Sequence, residues 1–127
     1  MGMLRTTIAI ENPLQPGVRR ELPETLVDTG AELTWVPRPV LEELGIVPRK
    51  QVRFEMANGS QIERDVGFGL VYAGGTLTID EIVFGEASDL VLLGAHSLQS
   101  LNLKVDLVGR RLVAGGPMLA ACERFAA

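Results

Sequence analysis

The chain has 127 residues, 46% of them apolar and 22% charged, with a formal net charge of −4 and one cysteine. That length and apolar content suit a folded domain and not a disordered chain. The acidic balance gives no basic face for nucleic acid, lone Cys122 has no partner for an internal disulfide, and no apolar run approaches the roughly 20 residues of a membrane span.

The N-terminal MGMLRT has no apolar h-region of a secretory signal, so a cytoplasmic location is expected. Gly2 and Thr6 also fit a myristoylation pattern, read here as incidental. Along the chain, proline and glycine recur about every ten residues. The short runs between them alternate or are wholly apolar: 6–10, 25–27, 52–56, 66–72, 76–79, 90–93, 103–107 and 112–114. This spacing predicts a mostly β barrel or sandwich. Residues 12–17, Asn-Pro-Leu-Gln-Pro-Gly, form a loop by composition. Two short helices are expected. In the first, residues 39–44, Pro39 suits the first turn, Gly45 the stop, and Val40 and Leu44 face the core. The second spans 95–101 and closes at Asn102. Asn58-Gly59 predicts a hairpin joining 52–56 to 61–64, with no neighbouring element obviously packed on it. Val108-Gly109 predicts another between 104–107 and 111–113.

One stretch stands apart. In Leu26-Val27-Asp28-Thr29-Gly30-Ala31-Glu32-Leu33, an ionisable acid sits between apolar runs. A lone buried carboxylate is costly unless it is paired or neutralised. Asp28 therefore either makes an Asx-type turn, bonding its own backbone two residues on, or is placed there for chemistry.

These residues resemble the signature of the retroviral-type, or retropepsin-like, aspartic proteases, in particular small single-domain bacterial members. That signature is an apolar pair, Asp-Thr-Gly-Ala, a polar residue and further apolar ones. A second signature, two apolar residues and a glycine ahead of a helix, is matched by Leu92-Leu93-Gly94 and residues 95–101. Leu103-Lys104-Val105-Asp106 and Arg110-Arg111-Leu112 look like the closing strands of that family, and the 57–60 turn falls where the family keeps its flap. The resemblance implies a retropepsin-like closed barrel or sandwich over residues 6–114, with 115–127 as a tail.

It also implies an aspartic endopeptidase. Two close carboxylates share one proton and their apparent pKa values split. One then acts as base toward a water, and the other donates a proton to the substrate carbonyl. The chain holds a single Asp-Thr-Gly, so the pair requires a homodimer. Asp28, Thr29 and Gly30 are the catalytic set implied. Thr29 would lock the loop through its hydroxyl, and Gly30 would let backbone approach the carboxylate. Ala31, Glu32, Met56, Ala57, Asn58, Gly59 and Ser60 are the substrate-binding set. Glu32 either accepts a substrate N–H or is a solvated acid. The partner is a polypeptide; no metal and no cofactor is implied. Ala95 and His96 stand where the family often has Arg or Thr and then Asp or Asn. The alternative is a non-catalytic dimeric module of the same fold that binds peptides or a protein partner. Trp35 is read as core, and His96, Glu42-Glu43 and Arg110-Arg111 as surface.

Overall fold

Alternation of apolar and polar residues gives way to wholly buried runs wherever a strand is covered on both faces. Strand β1 (Leu4–Glu11) shows both regimes, alternating at first and buried from Ile8 onward. It pairs with β2 (Arg19–Asp28) through its length and with β5 (Gln61–Ala73) at its buried end. The computed structural model describes residues 4–120; Gly2, Cys122 and the end of the expected tail lie outside them. The remaining elements are β3 (Thr34–Pro37), α1 (Arg38–Glu43), β4 (Lys50–Glu55), β6 (Thr76–Gly85), β7 (Leu92–Gly94), α2 (Ala95–Ser100), β8 (Leu103–Asp106) and β9 (Arg111–Ala114).

The strands run β1-β2-β7-β3-β6-β5, and the β5–β1 pairing closes this ring into a six-stranded barrel. Closure leaves no free edges in the ring. β4 hangs on the first half of β5 as the expected hairpin, and β8 with β9 forms a separate two-stranded sheet. Two pairings are parallel, β2 with β7 and β3 with β6. Between Thr6 and Ile8 the β1–β2 register slips by a residue, opposite Pro23. A proline has no ladder donor, so a bulge is where it fits.

The core has two parts, and the side-chain period of two divides them. Val36, Phe84 and Leu93 face the main cluster with Ile8, Ile10 and Leu41; their neighbours Trp35, Val83 and Leu92 face a second one. Val40 and Leu44 of the α1 region are buried, as the spacing predicted, Leu41 is buried as well, and Glu42 and Glu43 are exposed.

Several boundaries differ from the sequence expectation. β2 begins six residues earlier than 25, because its first half is charged and mostly solvent-facing. β6 continues to Gly85, buried without a break from Ile82. β3 was not expected as a strand at all. The 52–64 hairpin is not free of neighbours either. Val52, Phe54 and Ile62 pack on the second cluster, with the Phe54 ring 5.0 Å from that of Trp35. The closing hairpin forms, but Asp106 makes its turn. Its carboxylate accepts the amides of Val108 and Gly109, both at 3.1 Å, and the positive φ falls on Arg110 and not on Gly109.

Candidate active site

Asp28 is the last residue of β2, in parallel register with Gly94 of β7, after Leu26 opposite Leu92 and Val27 opposite Leu93. The apolar pair before Asp28 is there because both faces of this strand end are covered: Val27 packs on the main cluster and Leu26 on the second. The chain then turns out of the barrel. The Gly30 amide donates to Asp28 Oδ1 at 2.9 Å, and the Ala31 amide to the Asp28 carbonyl at 3.3 Å. The first of these is the Asx-type bond. Yet the loop is not a free surface turn, for it returns as β3 on the other side of β7, which thus lies between the strands that flank the loop.

Helix α2 clamps the loop from behind. The first amides of a helix lack partners within it, and no side chain caps this one. Instead the Ala95 and His96 amides donate to the carbonyls of Ala31 and Glu32 at 2.8 and 2.9 Å. The crossing requires glycine at position 94, where a Cβ would stand 2.4 Å from the Leu33 carbonyl oxygen. At Gly30 a Cβ would stand 3.2 Å from Asp28 Oδ1, so the absence of a side chain does let backbone approach the carboxylate. Asp28 itself is half-buried; Thr29, Gly30 and Glu32 are exposed and Ala31 is half-buried. Among the described residues no cation pairs with Asp28.

Within the single chain the Thr29 hydroxyl makes no hydrogen bond among the described residues, and another hydroxyl ties the loop to its own barrel. It is that of Thr34. Its oxygen accepts the Gly94 amide at 3.0 Å and lies 2.7 Å from Ser97 Oγ. Ser97 in turn donates to Asp80 Oδ2 at 2.9 Å, and His96 Nδ1 lies 3.5 Å from the other Asp80 oxygen. Thr34, Ser97 and Asp80 are buried, and the His96 side chain is 58% exposed. Behind Ala95 and His96, which depart from the family pattern, a polar network thus exists, carried by the residue after them. Sequence reasoning missed these three. The available signal was a threonine inside the apolar run Leu33 to Val36 and an aspartate interrupting the run 76–85.

The 56–60 turn is exposed throughout. Met56 N donates to the Ser60 carbonyl at 2.7 Å, Asn58 Oδ1 accepts the Ser60 amide at 2.9 Å, and Gly59 has a φ of +86°. Below that tip, Val52, Phe54 and Ile62 share the second apolar cluster with Leu26, Ala31 and Leu33. The hairpin's base and the Asp28 loop are therefore two walls of one partly open apolar surface, floored by Trp35. The tip residues and the loop residues are joined only through that surface. Among the described residues no group of His, Cys, Asp and Glu side chains is arranged to hold a metal ion.

Residues 21–100 match the family model of the gag-polyprotein putative aspartyl protease. No curated protein matches the chain. Among solved structures, the solution structure of Simian Foamy Virus (mac) protease is 20% identical, with 77% of this chain and 92% of that one covered at a TM-score of 0.50. The retroviral protease-like domain of Ddi1 from Leishmania major is 17% identical, with 92% of this chain and 91% of that one covered at a TM-score of 0.54. At such identities these two likenesses are of fold: the closed barrel with its short helices. No helix among the described residues is long and apolar enough to cross a membrane. The matched span runs from β2 through α2 and takes in the Asp28 loop, the hairpin and the Gly94 crossing, and the chain belongs to the gag-polyprotein putative aspartyl protease family, within the retropepsin-like superfamily.

Proposed function

We propose that this protein is an aspartic endopeptidase active as a homodimer, with one Asp28 from each copy. The observation that carries this reading is the state of Asp28: one half-buried carboxylate per chain at the family's Asp-Thr-Gly, with one oxygen bonded by the Gly30 amide and no described cation paired with it. Across a two-fold axis the two carboxylates share one proton. One activates a water and the other protonates the scissile carbonyl, with no covalent intermediate. Thr29 and Gly30 lie at the two-fold with Asp28. Ala31 and Glu32 line the peptide's path; their carbonyls already receive α2 amides, so Glu32 would meet substrate through its exposed carboxylate. The tip from Met56 through Ala57, Asn58 and Gly59 to Ser60 closes over an extended peptide by strand-like hydrogen bonding. The apolar wall of Leu33, Val52, Phe54 and Ile62 takes its side chains. Residues 6–114 are the unit that does this, in a cytoplasmic setting.

The test is hydrolysis of a broad peptide library at mildly acidic to neutral pH, with sedimentation across a wide concentration range. Cleavage by wild type, its loss in Asp28→Asn, and inhibition by a hydroxyl-bearing transition-state mimic that also promotes dimerisation are expected. A strict monomer with and without the mimic, or a dimer that cleaves nothing and binds no mimic, would sink the peptidase reading. Peptide binding without cleavage would instead assign the same cleft to a binding module.

A further inference from the structure

We propose that Asp80 is a positioning residue for the Asp28 loop, acting through a one-way chain of hydrogen bonds that ends on the Gly94 amide. The direction of that chain follows from its ends. Gly94 N–H donates to Thr34 Oγ, and the single proton of Ser97 Oγ goes to Asp80 Oδ2. The 2.7 Å contact between Thr34 and Ser97 can then be made only with the Thr34 hydroxyl as donor. The Asp80 carboxylate accepts Ser97 Oγ–H on Oδ2 and the Glu81 amide at 2.7 Å on Oδ1; His96 Nδ1 lies 3.5 Å from Oδ1 and donates there only in its Nδ1–H tautomer. Asp80 therefore fixes the orientation of two buried hydroxyls in series. The oxygen of the second is left with its lone pairs toward Gly94, the residue opposite Asp28.

Four elements meet in this chain: β6 gives Asp80, α2 Ser97, β3 Thr34 and β7 Gly94. They are the elements that pin both sides of the loop. Gly94 has no room to adjust, because Leu33 and Ala31 carbonyl oxygens crowd the side where a Cβ would be. A change in the pull of Thr34 on its amide is thus passed to the end of β2.

Asp80→Asn probes this polarity with almost no change of volume. Both Asp80 oxygens face donors, and an amide has one oxygen, so its NH2 must meet either Ser97 or the Glu81 amide. Facing Ser97, it reverses the chain. The activity arm rests on the peptidase reading and uses a fluorogenic peptide chosen from the library. The expected result is a kcat lower by about tenfold or more, with KM and dimer affinity within about twofold. Thr34→Val, which removes the hydroxyl, gives the same split, and Thr34→Ser, which keeps it, recovers most of the loss. The second arm needs no activity. In full-length protein, Asp80→Asn shifts the Gly94 amide resonance and the Asp28 carboxyl carbon. If wild type cleaves nothing, the peptidase reading falls, and these two resonances still decide: movement supports the positioning role, and no movement overturns it. An unchanged kcat in an active enzyme overturns it too. So does failure of both Asp80→Asn and Thr34→Val to fold, which would make the chain structural alone.

Discussion

Two aspartates beside β7 are handled in opposite ways. Asp89, in the turn leading to β7, receives both arms of the Arg64 guanidinium at 2.7 and 3.0 Å and the Glu86 amide at 2.7 Å. The side chains of this pair are 10% and 17% exposed. Asp65 is similar, bound by Arg38 at 2.7 Å, while Arg38 also holds Glu86 and lies over the Phe84 ring. Asp28, paired with β7 from the other side, has one backbone amide on one oxygen. At Asp89 and Asp65 an arginine compensates the carboxylate within the chain. At Asp28 the compensation is left to something outside the chain, and in the proposed dimer that is a shared proton.

The comparison breaks first, and by the largest effect, at the substitution of each acid by its amide. Asp28→Asn removes the base and the shared proton, and general acid–base catalysis is worth roughly 10²–10⁴-fold in rate. Hydrolysis should fall by at least about that much, with stability changed by no more than about 0.5 kcal/mol, as for a surface site. Asp89→Asn should do the reverse. It loses charge-assisted bonds to a largely buried guanidinium, so urea denaturation should show a loss of about 1.5–3 kcal/mol, while hydrolysis per folded dimer is kept. If Asp28→Asn unfolds the chain, or Asp89→Asn stays folded and stops hydrolysis, the two acids do not differ in kind.

Acid sharpens the same contrast. The hydrogen bonds and charge of Arg64 hold Asp89 below the usual carboxylate range against the opposing effect of burial, and those of Arg38 do so for Asp65. A carboxyl depressed in the folded state stabilises it above the unfolded pKa of about 3.9 and loses that contribution as pH falls through the folded value. The urea midpoint of wild type should therefore drop between about pH 5 and pH 2, and Asp89→Asn, with less to lose, should show the shallower slope. Equal slopes would mean that the Arg64 pair adds nothing to folding.

How much of this could be read from residues alone depends on where each signal was kept. The barrel class was legible because turn residues recur at β spacing. The Asp28 loop was legible because an acid between Leu26-Val27 and Leu33 is anomalous, and Leu92-Leu93-Gly94 only through the family resemblance; the structure adds the reason for its glycine, a crossing that no Cβ would fit. β3 was not legible: four residues, Thr34–Pro37, buried on both faces, have no alternation to show. The resemblance gave a locking hydroxyl to Thr29 and none to Thr34. The contact that ties the loop within the chain joins Thr34 to Ser97 across 63 residues, and no local pattern encodes a pairing of that span. The hairpin was expected from Asn58-Gly59, but not its anchorage, since the Trp35–Phe54 contact arises only once the barrel has closed.

That anchorage sets up the smallest effect. The hairpin's base is pinned by Phe54 on Trp35, while its tip is exposed and a Cβ at Gly59 would touch nothing within 4 Å. Gly59→Ala therefore adds no clash, only the strain of holding an alanine at a φ of +86°. Left-handed backbone costs an L-residue roughly 1–2 kcal/mol, and a loop tip can relieve part of that by opening locally. Global stability should thus move by less than about 1 kcal/mol. Amide exchange at 57–60 should quicken, and exchange along β4 and β5 next to Phe54 should not. In the peptidase reading, a lid must close to exclude water, so wild-type exchange at the tip should slow when the hydroxyl-bearing mimic binds, and hydrolysis by Gly59→Ala should fall a few-fold. Equal tip exchange with and without a bound mimic would leave 56–60 as an ordinary turn, and the Asp28 loop would then have to hold its substrate without a lid.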